Sequence, residues 1–251
     1  MTTETGSGRP LYDDTRLAQA YDSLNRSDRD HNFYLDLAGP APLRVLDMGC
    51  GTGQLALAAA ARGHRASGAD PAAAMLRVAR SRPGAEAVDW HLAGAAALDL
   101  ETRFDLIVMT GHVFQVFLEE AEILAALSCL RRHLAEGGRL AFETRNPAVR
   151  EWETWRAETT RESLETPDFG LIEAYWDLKS VAGHIVTYET SIAFADGTRV
   201  SALDSLRIAD RAEVAGWLDA AGYGAVEWYG DWDGSPLAAE SPEIIAVARS
   251  A

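Results

Sequence analysis

The stretch Arg44–Gly63, RVLDMGCGTGQLALAAAARG, decides the fold. A short apolar run leads into Gly49, Gly51 and Gly53, three glycines within five residues, and an alanine-rich run follows. LRVLDM reads as a buried strand, and GQLALAAAARG reads as a helix stopped at Gly63. The glycines form the turn between them. A strand, a glycine turn and a helix present backbone N–H groups at the carboxyl edge of a parallel sheet, where open α/β sheets bind ligands. Glycine lets a ligand approach the backbone closely because no Cβ intervenes. A plain βα turn would not need three glycines so close together.

Working outward, strands and helices alternate. HRASGAD is the next strand. Pro71 suits the first helical position of PAAAMLRVARS, and Pro83-Gly84 lies beyond that helix. AVDWHLAG and RFDLIVMTG are further strands. Ile123, Leu127, Leu130 and Leu134 recur at helical spacing, and EGGRLAFET is a turn with a fifth strand. This alternation predicts a parallel sheet with helices on both faces. Upstream, residues 1–10 read as disordered and residues 13–38 as helical, with Leu17, Ala20, Tyr21 and Leu24 on one face and Gly39-Pro40 as the stop. After Asn146-Pro147 a helix, AVREWETWRAETT, precedes three runs of period-two alternation, with Asp196-Gly197 as a two-residue hairpin signal between the last two. They predict a small antiparallel β meander inserted over residues 166–208. Asp210 and Glu213 form a capping-box pattern ahead of RAEVAGWLDAAG, and the strands GAVEWYG and EIIAVARS close a single domain of 251 residues.

Hydrophobic content of 47% and charged content of 24% suit a globular chain with a core of normal size. The formal net charge of -15 repels phosphodiester backbones and anionic lipid, so neither nucleic acid nor membrane is an expected partner. Cys50 and Cys129 are too few for a disulfide framework or a zinc site, so no metal is expected. MTTETGSGRPLYDDT lacks an apolar leader core, and no apolar run approaches ~18 residues, which predicts a cytoplasmic protein.

Three ligand classes compete for the glycine turn. A P-loop needs Gly-Lys-Ser or Gly-Lys-Thr, but Gln54 follows Gly53. The dinucleotide pattern G-x-G-x-x-G/A, started at Gly49, also meets Gln54 at its last position. S-adenosylmethionine carries a sulfonium and an ammonium and no phosphate. Asp47 is an awkward neighbour for pyrophosphate and a favourable one for those cations; its other use is to orient the loop.

VLDMGCGTG resembles the first motif of class I S-adenosylmethionine-dependent methyltransferases. The elements that follow resemble that family in order: GAD at Gly68–Asp70, AG at Ala93-Gly94, RFDLIVMTGHV and LAEGGRLAFET. The resemblance runs from about Leu43 to Asn146. It implies a Rossmann-like α/β fold, a seven-stranded sheet with its last strand antiparallel, and residues 41–146 as the cofactor-binding core. It also implies that Gly49, Cys50 and Gly51 line the methionine part of the cofactor, and that Asp70 accepts the two ribose hydroxyls. Pro71 and Met75 would pack on the adenine, and Thr110 and Gly111 would lie near the sulfonium. Asp70 equally suits a helix N-cap, Met75 a core position, and Cys50 a small filler. Where the family often places an acidic or amide residue for the adenine amino group, this chain has Ala95 and Ala96, which leaves backbone contacts there.

AYDSLNRSDRDHNFYLDLAG resembles the N-terminal helical lid of such enzymes, assigned to residues 1–40, with Tyr21 and Tyr34 over the cofactor or half-buried on an amphipathic helix. His112, in MTGHVFQ, is the candidate catalytic residue, as a base or a substrate contact; a loop histidine held by local hydrogen bonds is the plainer role. Similar small-molecule enzymes place an antiparallel cap after strand five, which implies a small-molecule acceptor beneath the meander. Trp152, Trp155 and Trp176 are pocket candidates, Trp217 and Trp228 core, and YGDWDGSP at Tyr229–Pro236 a further acceptor loop. No Asn/Asp-Pro-Pro-aromatic tetrapeptide follows strand four, against a nucleic-acid substrate. An exposed meander is a surface through which two copies could pair as a homodimer. The alternatives are a cofactor-binding protein of this fold that transfers no methyl group, and a nicotinamide oxidoreductase, which Gln54 disfavours.

Overall fold

Strand β1 (Arg44–Met48) buries four of its five residues and pairs in parallel with β2 (Arg65–Asp70) on one side and β4 (Phe104–Met109) on the other. The computed structural model describes Tyr12 and residues 14–250; the expectation of disorder over 1–10 lies outside the described residues. β3 (Val88–Leu92) extends the sheet beyond β2, and β5 (Leu134–Arg145) extends it beyond β4. β11 (Glu243–Ser250) runs antiparallel between β5 and β10 (Tyr223–Tyr229), giving the order β3-β2-β1-β4-β5-β11-β10. This is the expected seven-stranded sheet with its last strand antiparallel.

Because successive side chains of a strand point to opposite faces, β4 feeds two cores. Ile107 and Met109 pack with Leu127 and Leu130 of α5 (Glu120–His133) and with Val214 and Leu218 of α6 (Arg211–Ala220). Leu106 and Val108 pack on the other face with Leu55 and Ala59 of α3 (Gln54–Ala61) and Tyr34 of α2 (Arg29–Ala38). The capping box of α6 is formed: Glu213 N–H donates to Asp210 Oδ1 at 2.9 Å and Asp210 N–H to Glu213 Oε2 at 3.0 Å. Asp210→Ala is expected to cost about 1 kcal/mol, read as a lower urea midpoint with an unchanged slope.

Three local expectations are corrected. The helical stretch over 13–38 is two helices, α1 (Thr15–Leu24) and α2. The backbone N–H and the side-chain amide of Asn25 both bond the Tyr21 carbonyl and stop the first. Helix α4 (Ala73–Ser81) starts two residues after Pro71, because the Asp70 carboxylate takes the Ala72 N–H and holds the chain in a turn. AVREWETWRAETT is a short 3₁₀ turn, Glu151–Thr154, and one helical turn, Ala157–Thr160. Trp155 interrupts it by accepting the Leu178 N–H at 2.8 Å.

Between β5 and α6 the chain forms a separate antiparallel sheet, β6-β7-β8-β9. Its strands are Glu162–Thr166, Gly170–Ala182, Ile185–Phe194 and Arg199–Arg207. β6 adds a fourth strand to the three expected, with Leu164 paired to Ile172. The β8–β9 turn spans residues 195–198 rather than two residues, since Asp196 accepts the Thr198 N–H. Among the described residues no helix is long and apolar enough to cross a membrane.

Candidate active site

A cavity of about 550 Å³ lies between the carboxyl ends of β1, β4 and β5 and the second sheet. Its floor is the glycine turn. Gly49, Gly51 and Gly53 have φ of 80°, 52° and 82°, the left-handed region that glycine favours. A Cβ on Gly49 would strike Val113 and one on Gly53 would strike Trp90, so these two are fixed by packing. A Cβ on Gly51 would meet only Tyr21, at 3.9 Å, and one on Gly111 would meet nothing within 4 Å. These two leave the backbone open, as a cradle for a ligand requires.

Asp70, at the end of β2, clamps this turn to the next helix. Gly51 N–H donates to its Oδ2 at 2.8 Å and Ala72 N–H to its Oδ1 at 2.7 Å. Tyr21, Asp47, Gly49, Cys50, Gly51, Met75, Thr110, Gly111 and His112 all line the cavity. Asp70, Pro71, Ala95 and Ala96 stand outside that lining, and Ala95 is buried in the core beside Ala69 and Leu98. Met75 also packs against Ala18 of α1. Burial and the nearby Asp47 and Asp70 push the Cys50 thiol well up, which suits a filler rather than a nucleophile.

Asp47 is buried, and neither carboxylate oxygen finds a hydrogen-bond partner at bonding distance. Burial pushes its pKa up to about 7; Asp70 and Asp30 add to this, and the Ala56 N–H opposes it. Thr110 donates to Asp30 at 2.6 Å. Burial and the charges of Asp70, Asp30 and Asp47 raise the Tyr21 phenol to about 12, so it stays a donor.

Helix α1 joins both sides of the cavity. Arg16 donates to Asp196 at 2.9 Å and to Thr198 at 3.0 Å, and lies 4.1 Å from the Phe194 ring centroid of the second sheet. Leu17 and Ala20 pack with Ile172 and Ile192, while Asp22 accepts from Thr52 of the glycine turn at 2.6 Å and pairs with Arg82.

Another part of the cavity wall is built around His112, which has φ of 61°. Its N–H donates to Glu143 Oε1 at 2.5 Å, and Glu143 also accepts from the Tyr34 hydroxyl. Tyr34 is thus tied below the site by Glu143. Burial, helped by Arg145, lowers the His112 imidazole to about 4 against the opposing pull of Glu143, Glu151 and Asp30, so the ring is neutral at pH 7. Arg145 bonds Gln115 at 2.7 Å and Glu151 at 2.9 Å and lies 5.1 Å from the Trp155 ring centroid. Trp155 and Trp176 line the cavity with Tyr188, as does Trp232 of the acidic loop; Trp152 is buried with Val186 and Leu206, and Trp217 is core.

Sequence reasoning missed Asp30, Glu143, Arg145, Tyr188 and Glu243. For Glu143 a signal existed: a carboxylate between Phe142 and Thr144, in the middle of a strand that is buried on both faces, needs a reason to be there.

The orphaned Asp47 carboxylate and the open glycine cradle fit a ligand that carries positive charge and no phosphate. Residues 45–138 match the family described as methyltransferase domain, and the enzyme is an S-adenosylmethionine-dependent methyltransferase. Among relatives, it is 37% identical over 138 residues to the demethylmenaquinone methyltransferase of Thermus thermophilus, an alignment covering 50% of this chain and 61% of that protein. Among solved structures, the CcbJ methyltransferase from Streptomyces caelestis shares the fold with a TM-score of 0.77 and 23% identity, over 98% of this chain and 100% of that one. The sugar N-methyltransferase KedS8 from Streptoalloteichus sp. shares it with a TM-score of 0.74 and 20% identity, over 100% and 98%.

Proposed function

We propose that this enzyme methylates an amine nitrogen of a small molecule, with the second sheet as the wall of the acceptor site. The observation that carries the choice of nitrogen is the wall chemistry beside the donor site. Asp30, Glu151 and the neutral imidazole of His112 share the cavity with Trp155, Trp176 and Tyr188. Carboxylates and aromatic faces attract an ammonium group, and a neutral imidazole can accept the proton that an amine must lose before it becomes a nucleophile. That KedS8 is a sugar N-methyltransferase of the same fold supports this reading. The net charge of -15 supports an acceptor other than nucleic acid.

When bound, S-adenosylmethionine supplies an electrophilic methyl group on a sulfonium. In our reading Gly49, Cys50, Gly51, Thr110 and Gly111 hold its methionine and sulfonium end, with Asp47 balancing its positive charge and Tyr21 over it. Asp70 takes the ribose hydroxyls, Pro71 and Met75 flank the adenine, and the backbone of Ala95 and Ala96 meets its edge. His112 receives the acceptor proton. The protein's work is alignment and exclusion of water.

The test is a paired assay. The enzyme is given S-adenosylmethionine and a panel of amino sugars, each beside the sugar with hydroxyl in place of amine, and S-adenosylhomocysteine release is followed. Turnover confined to the amines is expected. Turnover of the hydroxyl partners with the amines untouched would overturn the choice of nitrogen.

A further inference from the structure

We propose that Glu243 is a positioning residue that dictates which ring nitrogen of His112 carries the proton, and so keeps Nδ1 available to the acceptor; this rests on the reading of His112 as the acceptor's base. Both Glu243 oxygens straddle Nε2, at 3.0 and 3.1 Å. The other ring nitrogen, Nδ1, makes no hydrogen bond among the described residues and is not sealed from solvent, in a side chain that lines the cavity. The ring is fixed at its other end too. The left-handed backbone of His112 is a conformation that non-glycine residues adopt at a cost, and the Glu143 carboxylate holds its N–H. Two carboxylates from two adjacent strands therefore set one imidazole, Glu143 by its backbone and Glu243 by its ring. Glu243 opens β11, where it faces Arg145 in register and donates its N–H to Gly230. It is buried, and nothing else in the site uses it.

The proton count follows. With Glu243 ionised, Nε2–H donates to it and Nδ1 is a bare acceptor. A proton leaving the acceptor nitrogen goes to Nδ1 while the Nε2 proton passes to the Glu243 carboxylate. One proton arrives and one is handed on, and the ring is neutral before and after. With Glu243 protonated, its O–H donates to Nε2, the ring proton sits on Nδ1, and no base faces the acceptor. The charged groups around the pair are Asp30 from α2, Glu143 and Arg145 from β5, Glu151 from the following turn, and Asp231 from the loop before β11. Burial comes first among the influences that raise Glu243, to about 8; Glu151, Asp231 and Asp30 add to it and Arg145 opposes. The competent state is therefore the high-pH state.

The experiment is ¹⁵N spectroscopy of histidine-labelled protein saturated with S-adenosylhomocysteine, with His112→Asn identifying the resonances. A neutral ring is expected throughout, moving from the Nδ1–H to the Nε2–H tautomer as pH rises through about 8. Glu243→Gln should abolish that change. The same variant should lose the rise of kcat at alkaline pH and fall about 10- to 100-fold in kcat, while Glu243→Asp restores part of both. No tautomer change in the wild type, or the same change in Glu243→Gln, overturns the proposal; the wild-type titration decides alone if the variant does not fold. A tautomer change lost in Glu243→Gln with kcat and its pH profile untouched upholds the control by Glu243 and instead overturns His112 as base.

Discussion

Asp70→Ala is expected to weaken S-adenosylmethionine binding by roughly 100-fold or more. The Asp70 carboxylate holds two backbone N–H groups, those of Gly51 and Ala72, and so joins the glycine turn to the start of α4. Hydrogen bonds to a charged group contribute about 1.5–3 kcal/mol each, and about 1.4 kcal/mol is a factor of ten in binding. Two such bonds exceed what a 100-fold loss requires, before any contact to the ribose is counted. Asp70→Asn keeps one acceptor oxygen and should fall between the two. Titration calorimetry with S-adenosylmethionine gives the affinity, and a thermal melt separates a loosened turn from a lost fold. An affinity within twofold of the wild type in a folded Asp70→Ala protein would remove Asp70 from the cofactor site.

Asp47→Asn should have opposite effects on stability and on binding. Burial raises the Asp47 carboxyl to about 7, well above its ordinary value of 3.8. Folding therefore favours the protonated form, and that stabilisation is whole below about pH 4 and is lost as pH rises through 7. The free-energy cost of ionising it in the folded protein is on the order of 4 kcal/mol. An asparagine has no charge to bury. The unliganded variant should match the wild type below about pH 4, begin to exceed it by about pH 5, and melt roughly 8–16 °C higher at pH 8. Cofactor binding should weaken about 10-fold or more, because the carboxylate is the charge available to offset the ligand's cations. The melting temperature of the wild type should in turn gain more from S-adenosylmethionine at pH 8 than at pH 5. A variant no more stable than the wild type at pH 8 would show that Asp47 is not strained in the empty protein.

The fold was legible because its signals are local. Three glycines after an apolar strand, alternating βα units and the Asp210/Glu213 capping box each arise within a dozen residues. The second sheet showed itself through its period-two runs, except for β6, which is short and takes its meaning from pairing with β7. The glycine turn on the cavity floor was legible for the same reason: it is one turn of chain. The surroundings of His112 were not. His112, Glu143 and Glu243 meet only because β11 inserts antiparallel beside β5, and no spacing along the chain encodes that encounter. The break at Trp155 likewise depends on a strand more than twenty residues away. Pro71 misled by being a good helix starter two residues before its helix; the carboxylate of Asp70 outcompeted it.

Helix α1 is a party wall. Its Leu17 and Ala20 belong to the second sheet's packing, its Ala18 to that of Met75, and its Asp22 to the glycine turn. Ten residues thus brace both the floor and the second-sheet wall of one cavity. Shifting this wall to make room beside one would disturb the other, so in the proposed reading redesign for a bulkier acceptor belongs on the far side, among Trp155, Trp176 and Tyr188.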